Sequence, residues 1–183
     1  MATANGRDSS PTISVGITDN GGTSIGLTFA PPNGEDWSEE RSGLGVTLSK
    51  NPSPDDHREI EAYLTRLDTP VSPISDYIET IKRNIEQGYT NSNELKVVHS
   101  DVTETPMDGR CAMAHLLLEV RKPSQAALEK TWSEQYVLSC GFLKHKGWGV
   151  ELRYHHRYTD SKKDAQLAED VRRLFASVMI EDS

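Results

Sequence analysis

The sequence predicts an α+β fold: a mainly antiparallel sheet of about six to seven strands with two main helices packed on it. Three observations carry this prediction. Apolar residues alternate at period two in the first third of the chain and again after residue 90. Two other stretches, one beginning at Ile74 and one ending at Val178, space their apolar residues as helices do. Short turns join the strand-like segments, and neighbouring strands joined that way pair antiparallel.

In chain order, residues 1–11 are small and polar and read as a flexible tail, leaving 12–183 as one domain. Ile13, Val15 and Ile17 alternate with polar or small residues. After Asp19-Asn20-Gly21-Gly22 the alternation resumes at Ile25, Leu27 and Phe29, which predicts a hairpin. Pro31-Pro32-Asn33-Gly34 breaks the sheet and puts Trp37 in a polar loop. Leu44–Leu48 is a short strand, followed by a loop at Asn51-Pro52-Ser53-Pro54. Residues 58–68 fit both a strand (Ile60, Ala62, Leu64) and a helix (Ile60, Leu64, Leu67). Strand is preferred, because the next helix announces itself separately. There Ser72 is a good N-cap, Pro73 suits the first helical position, and Ile74, Ile78, Ile81 and Ile85 form one stripe. Gly88 suits a left-handed C-cap.

The second half opens with a strand over Leu95–Val102 and a turn at Pro106-Met107-Asp108-Gly109. Cys111–Val120 is apolar on both faces, which predicts a central strand covered on both sides. The Ala- and Glu-rich segment 122–131 suits a helical turn. Tyr136–Leu143 is another two-faced strand, and His145-Lys146-Gly147-Trp148-Gly149 turns the chain into a sharply alternating one. Val150, Leu152, Tyr154, His156 and Tyr158 take one side of it; Glu151, Arg153, His155 and Arg157 take the other. The last helix, capped by Asp160 or Ser161, buries Leu167, Val171, Leu174, Phe175 and Val178.

Several segments together resemble the Mog1/PsbP-like family, which includes many small bacterial envelope proteins and lipoproteins. They are FAPPNGEDW followed by LGVTL, the helix SPISDYIETIKRNIE before a four-strand meander, and the hairpin QYVLSCGFLKHKGWGVELRY before a helix ending in LFASVMI. The resemblance covers roughly residues 24–180. It implies a layered sheet-and-helix sandwich and a non-catalytic role, docking onto other proteins or assisting assemblies in the cell envelope or periplasm. It transfers no catalytic residue, since the family shares no active site. The opening MATANGRDSSPT lacks a signal-peptide pattern and a lipid-attachment cysteine.

The charge is −8, from 20 Lys and Arg against 28 Asp and Glu, so nucleic acid is not an expected partner. No apolar run is long enough for a transmembrane helix. Nucleophile-elbow, phosphate-loop, HExxH and dinucleotide motifs are absent, so no catalytic residue, cofactor or metal site is expected. The acidic pairs Glu39-Glu40, Asp55-Asp56 and Glu181-Asp182 read as solvated charge. Trp37 and Trp132 read as cover for a sheet edge or a helix end.

Two surfaces stand as candidates. Arg153, His155 and Arg157 form a basic strip, extended by Lys144, Lys146 and Trp148 at the hairpin turn, suited to an acidic partner protein. Alternatively His156, with Tyr154 and Tyr158 and completed by His115 from a neighbouring strand, makes a small-molecule or metal site. That requires both histidines on one sheet face. An enzyme with an unrecognised site is a third reading. Cys111 and Cys140 lie on strands expected to pair. They read as two inert thiols or, if nearly opposite, as a disulfide.

Overall fold

Strand alternation dominates the chain, and the strands come first as a hairpin. The computed structural model describes residues 12–18, 22–32, 37–53, 56–90, 92–107, 109–121 and 129–183. The predicted tail and most of the Asp19–Gly22 turn and of the 122–131 segment lie outside them. β1 (Ile13–Thr18) and β2 (Ser24–Phe29) pair antiparallel as the alternation requires. Then follow β3 (Ser38–Ser42), β4 (Gly45–Ser53), β5 (Asp56–Arg66), α1 (Ile74–Tyr89), β6 (Leu95–Glu104), β7 (Cys111–Val120), β8 (Thr131–Gly141), β9 (Trp148–Thr159), α2 (Leu167–Ala176) and β10 (Met179–Asp182).

Seven strands form the main sheet in the order β3-β4-β5-β9-β8-β7-β6, every neighbour antiparallel. β5 and β6 therefore run parallel, and the connection through α1 crosses β9, β8 and β7 on one face. β1, β2 and β10 form a second, three-stranded sheet. Its Val15, Leu27 and Phe29 join Leu167, Val171 and Leu174 of α2 in one core over the other face, against Leu48, Ile60, Leu138 and Leu152. α1 builds a smaller core with Val102, Ala112, Ala114 and Leu116. The stripes of α1 and α2 thus rest on the same sheet from opposite sides.

Residues 58–68 belong mainly to a strand, β5, whose pairing with β9 uses all eleven of its residues. Other details are corrected. Pro73 has extended backbone (φ −71°, ψ 148°), so it is the N-cap and α1 starts at Ile74, with no side-chain cap from Ser72. Gly88 lies inside the last turn, and the helix runs on to Tyr89, whose ring packs on the α1 core. Trp37 leads directly into β3, a strand with no buried residue. β4 continues through Asn51 to Ser53, which the sequence assigned to a loop. Asp160–Lys162 form one 3-10 turn, and α2 begins only at Leu167. α2 ends at Ala176 because β2 has a free edge: Met179–Asp182 leave the helical path and pair with Ile25–Thr28.

Cys111 and Cys140 face each other directly in the β7–β8 register, their Cα atoms 4.1 Å apart, and their sulfurs are bonded. The reading of two inert thiols is overturned. The register supplies what sequence spacing left open.

Candidate functional site

The structure places the predicted basic residues Arg153, His155 and Arg157 along one face of β9. Arg153, His155 and Arg157 point to the α1 side of the sheet, half-buried, next to β5 residues of the same face. α1 packs on β6 and β7, so much of β8, β9 and β5 on this side carries no helix. Arg153 reaches Glu61 at 3.4 Å and Glu151 at 3.8 Å, and its Nη2 donates to the Tyr63 hydroxyl. Tyr63 in turn donates to Glu151; burial first, then this neighbouring carboxylate, raises its phenol well above the usual range. The Nε groups of Arg153 and Arg157 are buried without a hydrogen-bond partner among the described residues. His155 Nε2 lies 3.0 Å from the Ser133 hydroxyl. Burial, with help from His57 and Arg153, pushes its imidazole down to about 4, so it is neutral at pH 7. The strip is consequently less basic than its sequence.

The hairpin extension does not join this surface. Trp148 has the parity of Val150 and packs against the α2-side core, with the Arg66 guanidinium 3.7 Å over its ring. Lys144 and Lys146 lie in the hairpin turn, at the end of β9 away from Arg157. Trp148 and Lys146 are thereby separated from Arg153, His155 and Arg157.

On the α2 side the structure brings the alternative residues to one face and one end of the sheet. In register, His115 faces Tyr136 and Tyr136 faces Tyr154, while Glu134 faces His156. His115 and His156 therefore share a face, as a joint site demands, but they are engaged separately. Glu134, missed in the sequence, is the hub. Its carboxylate accepts from the Tyr136 hydroxyl at 3.0 Å and the Tyr158 hydroxyl at 2.9 Å, and lies 2.9 Å from His115 Nε2. Burial alone would raise its pKa; these bonds outweigh burial and hold it below the usual range. The His115 ring stacks on Tyr136, centroids 4.1 Å apart. His156 is fully buried, with Nε2 3.0 Å from Asp56, and its imidazole is lowered, mainly by burial. Arg58 bridges to Asp164 at 2.9 Å. Tyr154 packs edge-on against Trp37, and burial pushes its phenol up to about 12. Among the described residues, no three His, Cys, Asp or Glu side chains converge as metal ligands. No helix among them is long and apolar enough to cross a membrane.

A carboxylate held by so many donors is a weak base, and a buried tyrosine that feeds it is a weak acid. The cluster thus fixes the strands' ends more than it offers a proton. Beside it, α2 and the β6–β7 turn enclose a cavity of about 410 Å³, lined by Met107, Met113, Leu138, Val171 and Phe175, with Tyr136 at its wall. Under α1, a second cavity of about 430 Å³ lies between Ile81, Ile85 and Ala114 and the polar row Gln135, Glu151 and Arg153.

No family model matches the sequence, and no curated protein matches it. Among solved structures, LpqN of Mycobacterium tuberculosis, a protein involved in cell envelope biogenesis, is similar in fold. The TM-score is 0.54 at 12% identity, over 93% of this chain and 91% of that one. The likeness is one of fold; this chain is α+β, with an antiparallel seven-stranded sheet, a three-stranded sheet and two helices.

Proposed function

We propose that this chain is a non-catalytic accessory domain of the cell envelope that docks onto another protein through the open part of its α1-side sheet face. One observation carries the reading: on the sheet face that α1 covers only in part, Arg153, His155 and Arg157 stand in one row on β9, with the Arg153 side chain 34% exposed. Carboxylates of a partner would bond the exposed part of that guanidinium, since charge-assisted bonds to arginine are among the stronger ones. Glu61 and Glu151 already answer part of this charge, so a suitable partner combines acidic side chains with neutral hydrogen-bonding groups. The fold likeness to LpqN and the Cys111–Cys140 disulfide, a bond that persists in oxidising compartments, support the envelope setting. The engagement of Glu134, of His155 Nε2 and of His156 Nε2 by internal partners supports the non-catalytic part.

The test is retention of a partner by the immobilised chain. Arg153→Glu with Arg157→Glu should abolish it, while Lys144→Glu with Lys146→Glu, at the hairpin turn, should not. Equal retention by both double variants refutes this surface. A second reading, small-molecule binding on the α2 side, is favoured by the apolar cavity beside Tyr136. A metabolite that raises the melting temperature of the chain but not that of a Leu138→Trp variant, which fills the cavity, would select it.

A further inference from the structure

The two edges of the main sheet are built differently. β3 at one edge has five residues, including Glu39, Glu40 and Arg41, and the Arg41 guanidinium ties it to the Ser14 carbonyl at 3.0 Å. Short, charged and tied strands resist edge pairing. β6 at the other edge has ten residues and no proline, and exposes Val97 (37%) and Val98 (48%). Among the described residues no strand pairs with its outer side. Along it, between Ile85 and Tyr89 of α1 and Leu95, Val97 and Val102 of β6, runs a groove of about 570 Å³.

We infer that β6 is a dimerisation edge: a second copy of this chain pairs its β6 antiparallel to the first, about a two-fold axis at His99, making one continuous sheet. This interface goes beyond the docking surface proposed above and uses a different strand. The bulge in β6 carries the argument. Lys96 faces Glu119, Val97 faces Leu118 and His99 faces Leu117, so Val98 is skipped in the ladder. As a result Lys96, His99 and Asp101 share the α2 side, and Leu95, Val97, Ser100 and Val102 share the α1 side. Without the bulge, a separation of five residues would put Lys96 and Asp101 on opposite faces. With it, a two-fold at His99 sets Lys96 opposite Asp101 of the second copy, and Asp101 opposite its Lys96. It also sets Leu95 opposite Val102, so the half-buried Leu95 of the incoming strand lies along the groove beside the Val102 already packed under α1. Opposite charges directly across a ladder stabilise it, and like charges there destabilise it. The bulge that blunts this edge against indiscriminate pairing also leaves one self-complementary register open. A closed two-fold of this kind is the commonest form of self-association.

Sedimentation equilibrium of the intact chain up to about 100 μM, in the concentration range of weak specific association, tests it. The expected result is a reversible dimer. Lys96→Asp and Asp101→Lys should each weaken it by about tenfold or more, because each change acts twice across the axis. Lys96→Asp combined with Asp101→Lys should restore it. Both side chains are exposed, so circular dichroism should report an unchanged fold in all three variants. A chain that stays monomeric throughout overturns the inference and leaves the groove to an extended segment of another protein. A dimer indifferent to the single changes, or not restored by the pair, also overturns it.

Discussion

The two faces of the main sheet differ in what covers them. On the α2 side, a helix and a three-stranded sheet together seal Leu48, Ile60, Leu152 and Tyr154 at 1% exposure or less. On the α1 side, one helix rests with its four isoleucines only half-buried over β6 and β7, and the sheet beyond it is polar. Strand patterning thus records cover strand by strand. β7, apolar on both faces, has a core on each side; β9, with Glu151, Arg153, His155 and Arg157 on one face, contributes its buried apolar residues to the α2-side core.

That contrast can be broken experimentally. The largest effect belongs to the bond between strands: replacing Cys111 and Cys140 together by alanine should cost about 3–4 kcal/mol, read by urea denaturation, since the bridge closes a loop of roughly thirty residues. Next comes a like-for-like pair. Val150→Ala on the sealed face should cost about 2–3 kcal/mol, and Val137→Ala on the half-covered face under about 1. Equal costs would show the α1 side to be as dry as the other. His155 gives a comparable, pH-dependent effect. Its folded pKa of about 4 lies below the ordinary 6.5, so the unfolded chain takes up the proton first. Stability should be full well above pH 6.5 and fall by about 3 kcal/mol on acidification to about pH 4. His155→Gln should flatten melting temperature against pH in that window; an unchanged profile means the ring is solvated. The smallest effect is that of Arg66→Ala at the Trp148 ring, about 0.5–1 kcal/mol in the same denaturation assay.

Much of this fold was legible because burial writes periodicity into a chain. The stripe of α1, the stripe of α2 as far as Phe175, and the alternation of β1, β2 and β9 lie where the pattern put them. β3 could not be read, since Ser38–Ser42 contains no apolar residue; only the β4 edge makes it a strand. β10 was hidden because Val178 continues the helical stripe by spacing while tertiary pairing with β2 takes the chain elsewhere. The site was less legible than the fold. His115 and His156 sharing a face, Glu134 as their neighbour, and the cysteine bridge all depend on cross-strand register, which no single strand encodes. Trp148 was misplaced for a local reason: counted as part of a turn, it in fact opens β9 with core parity.

Asp182 gives β10 a reach beyond its own sheet. Its carboxylate accepts from the backbone N–H of Leu143 at 2.7 Å and of Lys144 at 3.2 Å, and lies 2.9 Å from His145 Nδ1. Those bonds hold it below the ordinary carboxylate range despite burial. The strand at the end of the second sheet thereby fastens the β8–β9 loop of the first from one side, while the Leu67 N–H, donating to the Gly147 carbonyl at 3.0 Å, holds it from the other.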